Sequence, residues 1–126
     1  MNKIYNPSTV AAPTGYSHGV ELGAGARIVY VAGQIGLAPD GTIAKDIKGQ
    51  ATQAWKNIEN VLAAAGMELR DIVKVNAYLT RKEDIAGYRE VRGRALGELR
   101  PASTLLVISA LAREDFLVEV EAVAAK

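Results

Sequence analysis

The sequence predicts an α+β domain in which one sheet carries two helices on a single face. Two observations lead there. A stripe of apolar residues at spacings of three and four runs through the middle of the chain, and short β-branched runs precede it, follow it and close the C-terminal end.

The first clear strand is Arg27-Ile28-Val29-Tyr30-Val31-Ala32, which runs into Gly33 after a glycine-rich turn at Gly23 to Gly25. Val20-Glu21-Leu22 alternates in character and is the expected hairpin partner. Pro39-Asp40-Gly41 marks a turn, because proline presets φ and glycine accepts the positive φ that follows. Asp46 then stands where a helix N-cap is wanted. Behind it Ile47, Ala51, Ala54, Trp55, Ile58, Val61, Leu62 and Ala65 form one apolar stripe, and Gly66 supplies a left-handed end.

Ile72 to Leu79 is too β-branched for a helix and predicts a strand. A second helix is expected from about Glu83-Asp84, with Ile85, Tyr88, Val91 and Ala95 on one side. Gly87 and Gly93 weaken it by roughly 1 kcal/mol each relative to alanine. Pro101 marks its exit, and two strands follow, Thr104 to Ser109 and Leu117 to Ala124. No repeat or linker interrupts this order, so residues 1–126 are expected to form one domain. Asn76, Tyr78, Val107 and Ser109 are candidates for the sheet face that the helices leave uncovered. Such a face favours association with further copies.

Composition narrows the function. Fifteen Lys and Arg face fourteen Asp and Glu, which lacks the basic excess of a nucleic-acid binder. There is no cysteine, so disulfides, thiolate metal sites and cysteine nucleophiles are excluded. Met1 to Pro7 is polar, no window is apolar enough to cross a bilayer, and a cytoplasmic protein is the expectation. His18 is the only histidine, which rules out a His-rich metal site or a two-histidine motif within one chain; a loop histidine without catalytic duty is the plain reading.

Glu119 and Glu121 lie two apart on the last strand and point to one face, with Val118, Val120 and Ala122 on the other. A carboxylate on a face covered by a partner suits a general acid or base, whereas at an open edge it is solvated or ion-paired. Gly33-Gln34 ends its strand where backbone can approach a ligand, or where a bulge sits. Tyr16 follows Gly15 in a loop. Arg89, Arg92 and Arg94 are most simply the solvated side of the second helix.

Taken as a set, the segments Gly15-Tyr16-Ser17-His18-Gly19-Val20, Val29-Tyr30-Val31-Ala32-Gly33-Gln34-Ile35, Ala63-Ala64-Ala65-Gly66, Asp71-Ile72-Val73-Lys74-Val75, Arg100-Pro101-Ala102-Ser103-Thr104 and Val118-Glu119-Val120-Glu121-Ala122 resemble the YjgF/Rid (reactive intermediate deaminase) family along nearly the whole chain. The resemblance implies a chorismate-mutase-like fold, a mixed sheet with two helices on one face, and a homotrimer with ligand clefts between subunits. It also implies hydrolysis of small enamines or imines to oxoacids and ammonia, with no metal or cofactor; the balanced charge and the lack of an apolar span leave neither nucleic acid nor membrane expected as a partner. Carried over by position, the site comprises Tyr16, the backbone of Gly33, and Glu119 as the water-positioning carboxylate.

One position departs. Ser103 stands where the deaminases place an arginine after Pro-Ala to clamp the substrate carboxylate. Such a charge-assisted contact is worth roughly 1.5–3 kcal/mol, and a hydroxyl does not replace its charge. Arg100 is expected to point elsewhere. Arg92 falls where the deaminases often carry a cleft asparagine, so it is the second candidate for gripping substrate. The sequence therefore points to a hydrolase acting on an imine other than the standard 2-aminoacrylate-like ones, or to a trimer that binds an oxoacid-like metabolite or a protein without catalysis.

Overall fold

The computed structural model describes residues 1–126. In chain order the elements are β1 (Lys3–Tyr5), β2 (Gly19–Glu21), β3 (Ile28–Ile35), α1 (Ile47–Ala64), β4 (Ile72–Leu79), α2 (Ile85–Leu96), β5 (Ala102–Val107) and β6 (Val118–Ala125). Four strands form one mixed sheet in the order β3-β6-β4-β5, in which only β4 and β5 are parallel. That single parallel pair brackets α2, as a parallel connection requires a crossover. No helix is long and apolar enough to cross a membrane.

The alternation in β4 and β6 explains why the sheet has two unlike faces. Val75, Ala77, Leu79, Val118, Val120, Ala122 and Ala124 are buried beneath the helices with Ala51, Ala54, Trp55, Ile58 and Leu62 of α1 and Tyr88, Val91 and Leu96 of α2. Burying an aliphatic side chain of this size contributes roughly 1.5–3 kcal/mol, which outweighs the glycine penalties in α2. The predicted stripe thus faces the core, except Val61, which is exposed. Gln50 joins it instead. Its amide donates to the Ala44 and Asp115 carbonyls at 2.9 and 2.8 Å and its oxygen accepts from Leu117 N–H at 2.8 Å, so a buried polar group is satisfied while tying two loops to α1.

Four expectations need correction. Val20-Glu21-Leu22 does not pair with the strand that follows it: β2 pairs with β1 in a separate two-stranded ribbon, and β3 pairs with β6, whose long apolar alternation offers the better partner. Gly33-Gln34 does not end β3, which continues to Ile35 across a bulge. Val31 faces Ala122 while Gln34 faces Val120, so three steps on β3 match two on β6. Asp46 is the residue preceding α1 but its side chain makes no capping bond. Lastly, Val107 pairs with Leu79 and so shares the helix-side face, and Ser109 lies beyond β5, so neither belongs to the uncovered face. Leu106, paired with Tyr78, takes that place. Asn76 and Tyr78 do lie there, and Tyr30 beside them is 78% exposed.

Candidate functional site

The uncovered face holds the paired carboxylates of β6. Glu121 accepts hydrogen bonds from the Tyr78 hydroxyl at 2.7 Å and the Asn76 amide at 3.1 Å, both on the neighbouring strand. These donors, the phenol first, hold the Glu121 carboxyl below its ordinary range, while the same bond pushes the Tyr78 phenol up. Glu121 is therefore an ionised, structurally engaged residue. Glu119 differs: no protein group donates a hydrogen bond to it, and its side chain lies against Gly33. A Cβ on Gly33 would stand 2.8 Å from Glu119 Cδ and closer still to Oε1. Gly33 does not have a positive φ, so what the glycine supplies is room for the carboxylate. The bulge explains how it gets there, because the extra residue leaves the ladder and lets β3 swing its backbone toward Glu119.

Tyr16, Arg92 and Ser103 come together elsewhere. They line one cavity of about 380 Å³ with Thr14, Gly15, Arg89 and Leu105. Its construction can be followed in the chain. Ser17 N–H donates to the Pro101 carbonyl at 3.1 Å and Ser17 bridges Ala102 in parallel, which lays the 14–18 loop along the start of β5. Gly15 takes a φ of 77°, turning the loop so that it meets the Arg92 guanidinium; a Cβ there would stand 3.1 Å from Nη2. Tyr16 is braced edge-on by His18, with ring centroids 5.4 Å apart. His18 is itself fixed, its Nε2 lying 2.7 Å from the Ala11 carbonyl and its backbone N–H donating to Asn6. Below Arg92, fully buried Tyr88 anchors α2, its phenol pushed up to about 12 by burial.

The two groups occupy opposite faces of the sheet. Ser103 pairs with Val75, whose side chain is fully buried under the helices, whereas Glu119 pairs with Tyr78 on the uncovered face. Paired residues share a face, so the sheet separates the carboxylate from the cavity within one chain. Arg100 points away, as expected: its guanidinium donates to the Gly97 and Leu99 carbonyls, both at 2.9 Å. Arg94 is occupied by Glu90 on the exposed side of α2. Sequence reasoning missed Arg89 and Thr14 as cavity residues. The spacing of Arg89 three before Arg92 was the available signal, since such residues share one helical face.

Comparison with known proteins agrees with this architecture. Residues 7–126 match the family model described as Endoribonuclease L-PSP. A RutC family protein of Pyrococcus horikoshii is 37% identical over 129 residues, covering 100% of this chain and 99% of its own. TdcF of Escherichia coli, whose name gives it as a candidate reactive intermediate deaminase, is 30% identical and covers 100% and 98%. Among solved structures, RidA of an Antarctic Psychrobacter is 34% identical, with a TM-score of 0.75 over 98% of both chains. A Rid family protein of Yersinia pestis superposes with a TM-score of 0.87 over 99% of this chain and 98% of its own, at 28% identity. The chain therefore belongs to the YjgF/Rid family.

Proposed function

We propose that this protein is a cofactor-independent hydrolase of small imines or enamines, working as a homotrimer whose clefts lie between subunits. The observation that carries the reading is the placement of its site residues on opposite faces of the sheet. Glu119 and Gly33 sit on the uncovered face and Tyr16, Arg92 and Ser103 on the other. A neighbouring copy brings the second group to the first. Tyr30, Leu106 and Ile28 on the uncovered face are exposed apolar residues that such a neighbour would cover.

The chemistry follows from the groups present. Water held by Glu119 adds to the imine carbon and gives its proton to the carboxylate, so that C=N becomes C–N. Return of that proton to nitrogen completes a carbinolamine; the carboxylate then carries the hydroxyl proton to the amine, the C–N bond breaks, and ammonia leaves as the C=O of the oxoacid forms. The Gly33 backbone offers a hydrogen bond beside the reacting atoms, and Arg92 with Ser103 grips the substrate from the neighbouring subunit. The names of relatives such as TdcF support a deaminase role. Ser103, in place of an arginine, supports a substrate other than the standard 2-aminoacrylate-like imines. The ribonuclease activity suggested by the family model's description is the weaker reading, because charge is nearly balanced and the one histidine is tied to the Ala11 carbonyl.

The test is release of ammonia and oxoacid from freshly generated 2-aminoacrylate and longer imines. Glu119→Ala and Arg92→Ala are each expected to abolish it, and mixed assemblies of the two to recover part of it, because one interface then holds both intact groups. No acceleration over buffer by an assembled wild-type protein would refute the hydrolase and leave a metabolite-binding trimer. Activity without recovery on mixing would refute the shared cleft.

A further inference from the structure

The chain has eight arginines. Six have protein acceptors: Arg27 at the Ala65 carbonyl, Arg70 at Glu68, Arg81 at Asp84, Arg94 at Glu90, Arg100 at two carbonyls and Arg113 at Asp115. The two that donate to no protein group, Arg89 and Arg92, line the same cavity. No aspartate or glutamate lines it with them. Two guanidiniums three residues apart on one helical face repel each other, and an incoming anion relieves that repulsion. A cavity with one sign of charge also concentrates ligands of the opposite sign.

From this we infer that the cavity recognises a dianionic substrate, the oxoacid or imine of a dicarboxylic amino acid, with Arg92 on one carboxylate and Arg89 on the other. The inference rests on the cavity belonging to the proposed site, and it deepens that reading by naming the substrate class. Guanidinium matches carboxylate geometry in a two-bond pair, so two arginines suit two carboxylates better than one. Leu105 gives an apolar wall for a short carbon chain, and the hydroxyls of Thr14, Tyr16 and Ser103 remain for the oxo or imino group. The volume, about 380 Å³, suits a small metabolite. It also accounts for Ser103: a third cation beside Arg89 and Arg92 would raise the repulsion without a third carboxylate to meet it.

The experiment compares equilibrium binding of 2-oxoglutarate and 2-oxopentanoate, which share a carbon chain length and differ in one carboxylate, by calorimetry at constant ionic strength. The expected result is binding of 2-oxoglutarate at least ~10-fold tighter. Arg89→Ala should collapse that ratio to about one, and Arg89→Lys should keep part of it. Arg92→Ala should weaken both ligands. Equal binding by the wild type, or a ratio that survives Arg89→Ala in a protein with its helical circular dichroism intact, would overturn the inference. So would inorganic phosphate competing as strongly as 2-oxoglutarate, since the cavity would then be a phosphate site. Binding does not depend on turnover. A Glu119→Ala protein that keeps the preference supports the dianion, and absence of hydrolysis in the wild type counts only against the hydrolase.

Discussion

Gly33→Ala isolates the link between the β3 bulge and the β6 carboxylate. The added methyl carbon would lie 2.8 Å from Glu119 Cδ and 2.9 Å from Cγ, with Oε1 nearer still. Carbon atoms settle at roughly 3.5–4.0 Å, so the carboxylate must retreat by about 1 Å. The backbone has no objection, because Gly33 does not occupy the left-handed region. Glu119 is a flexible side chain that accepts no hydrogen bond, so moving it costs at most an off-rotamer strain of about 0.5–1.5 kcal/mol. Stability should change little. Catalysis should not be spared, because a misplacement of about 1 Å in a reacting group costs on the order of 100-fold, or about 2.7 kcal/mol of barrier. The assay is kcat/KM for imine hydrolysis beside a urea unfolding curve, for Gly33→Ala, Glu119→Ala and the double variant. If the methyl acts through the carboxylate, the double variant is no slower than Glu119→Ala alone. Full activity in Gly33→Ala, or a double variant slowed by the product of the two effects, would refute the reasoning.

Two glycines in α2 should respond in opposite ways. Nothing lies within 4 Å of a Cβ placed on Gly93, so Gly93→Ala should stabilise by about 0.5–1 kcal/mol in urea unfolding. At Gly87 the same methyl meets Ile47 Cγ2 at 2.9 Å, so Gly87→Ala should gain nothing or destabilise. Tyr78→Phe removes the first donor that holds the Glu121 carboxyl down, so that carboxyl should rise toward its ordinary value in a carbon-detected NMR titration. A carboxylate depressed in the folded state contributes stability above its unfolded pKa and loses it as pH falls through the folded one. The variant should therefore show a shallower loss of stability on acidification below the ordinary carboxylate range, and an unchanged acid limb would remove Tyr78 from the account.

The elements were legible because each carried its own period. α1 ran on spacings of three and four, and β6 alternated strictly enough that the division into Val118, Val120 and Ala122 on one side and Glu119 and Glu121 on the other was right. Pairing was less legible. Val20-Glu21-Leu22 looks like a hairpin partner for β3 by proximity, yet pairing is decided by which strands can share a buried face, and β3 finds that in β6 across most of the chain. The bulge at Gly33 left only an ambiguous mark, since one glycine serves equally as a strand end. The resemblance directs attention to Ser103, which does line the cavity, but Arg89 was not legible, because a solvated arginine and a cavity arginine look alike in sequence.

What decides between those two kinds of arginine is the absence of a competing acceptor, and this is a property of the packed chain. Arg94 lies two residues from Arg92 on the same helix and is consumed by Glu90, which Lys48 of α1 also engages at 2.5 Å. That arrangement draws Glu90, the one carboxylate of α2, toward α1 and leaves the cavity-facing side of the helix with Arg89 and Arg92. Charge balance over the whole chain, fifteen against fourteen, therefore hides a local excess at the cavity. The same sheet that separates this excess from Glu119 keeps the carboxylate from quenching it. Were both groups on one face of one chain, Glu119 would pair with Arg92 and neither would be available to a substrate. Dividing them across the sheet keeps the arginines unpaired and the carboxylate unbonded within one chain, which is the arrangement that the proposed cleft between copies requires.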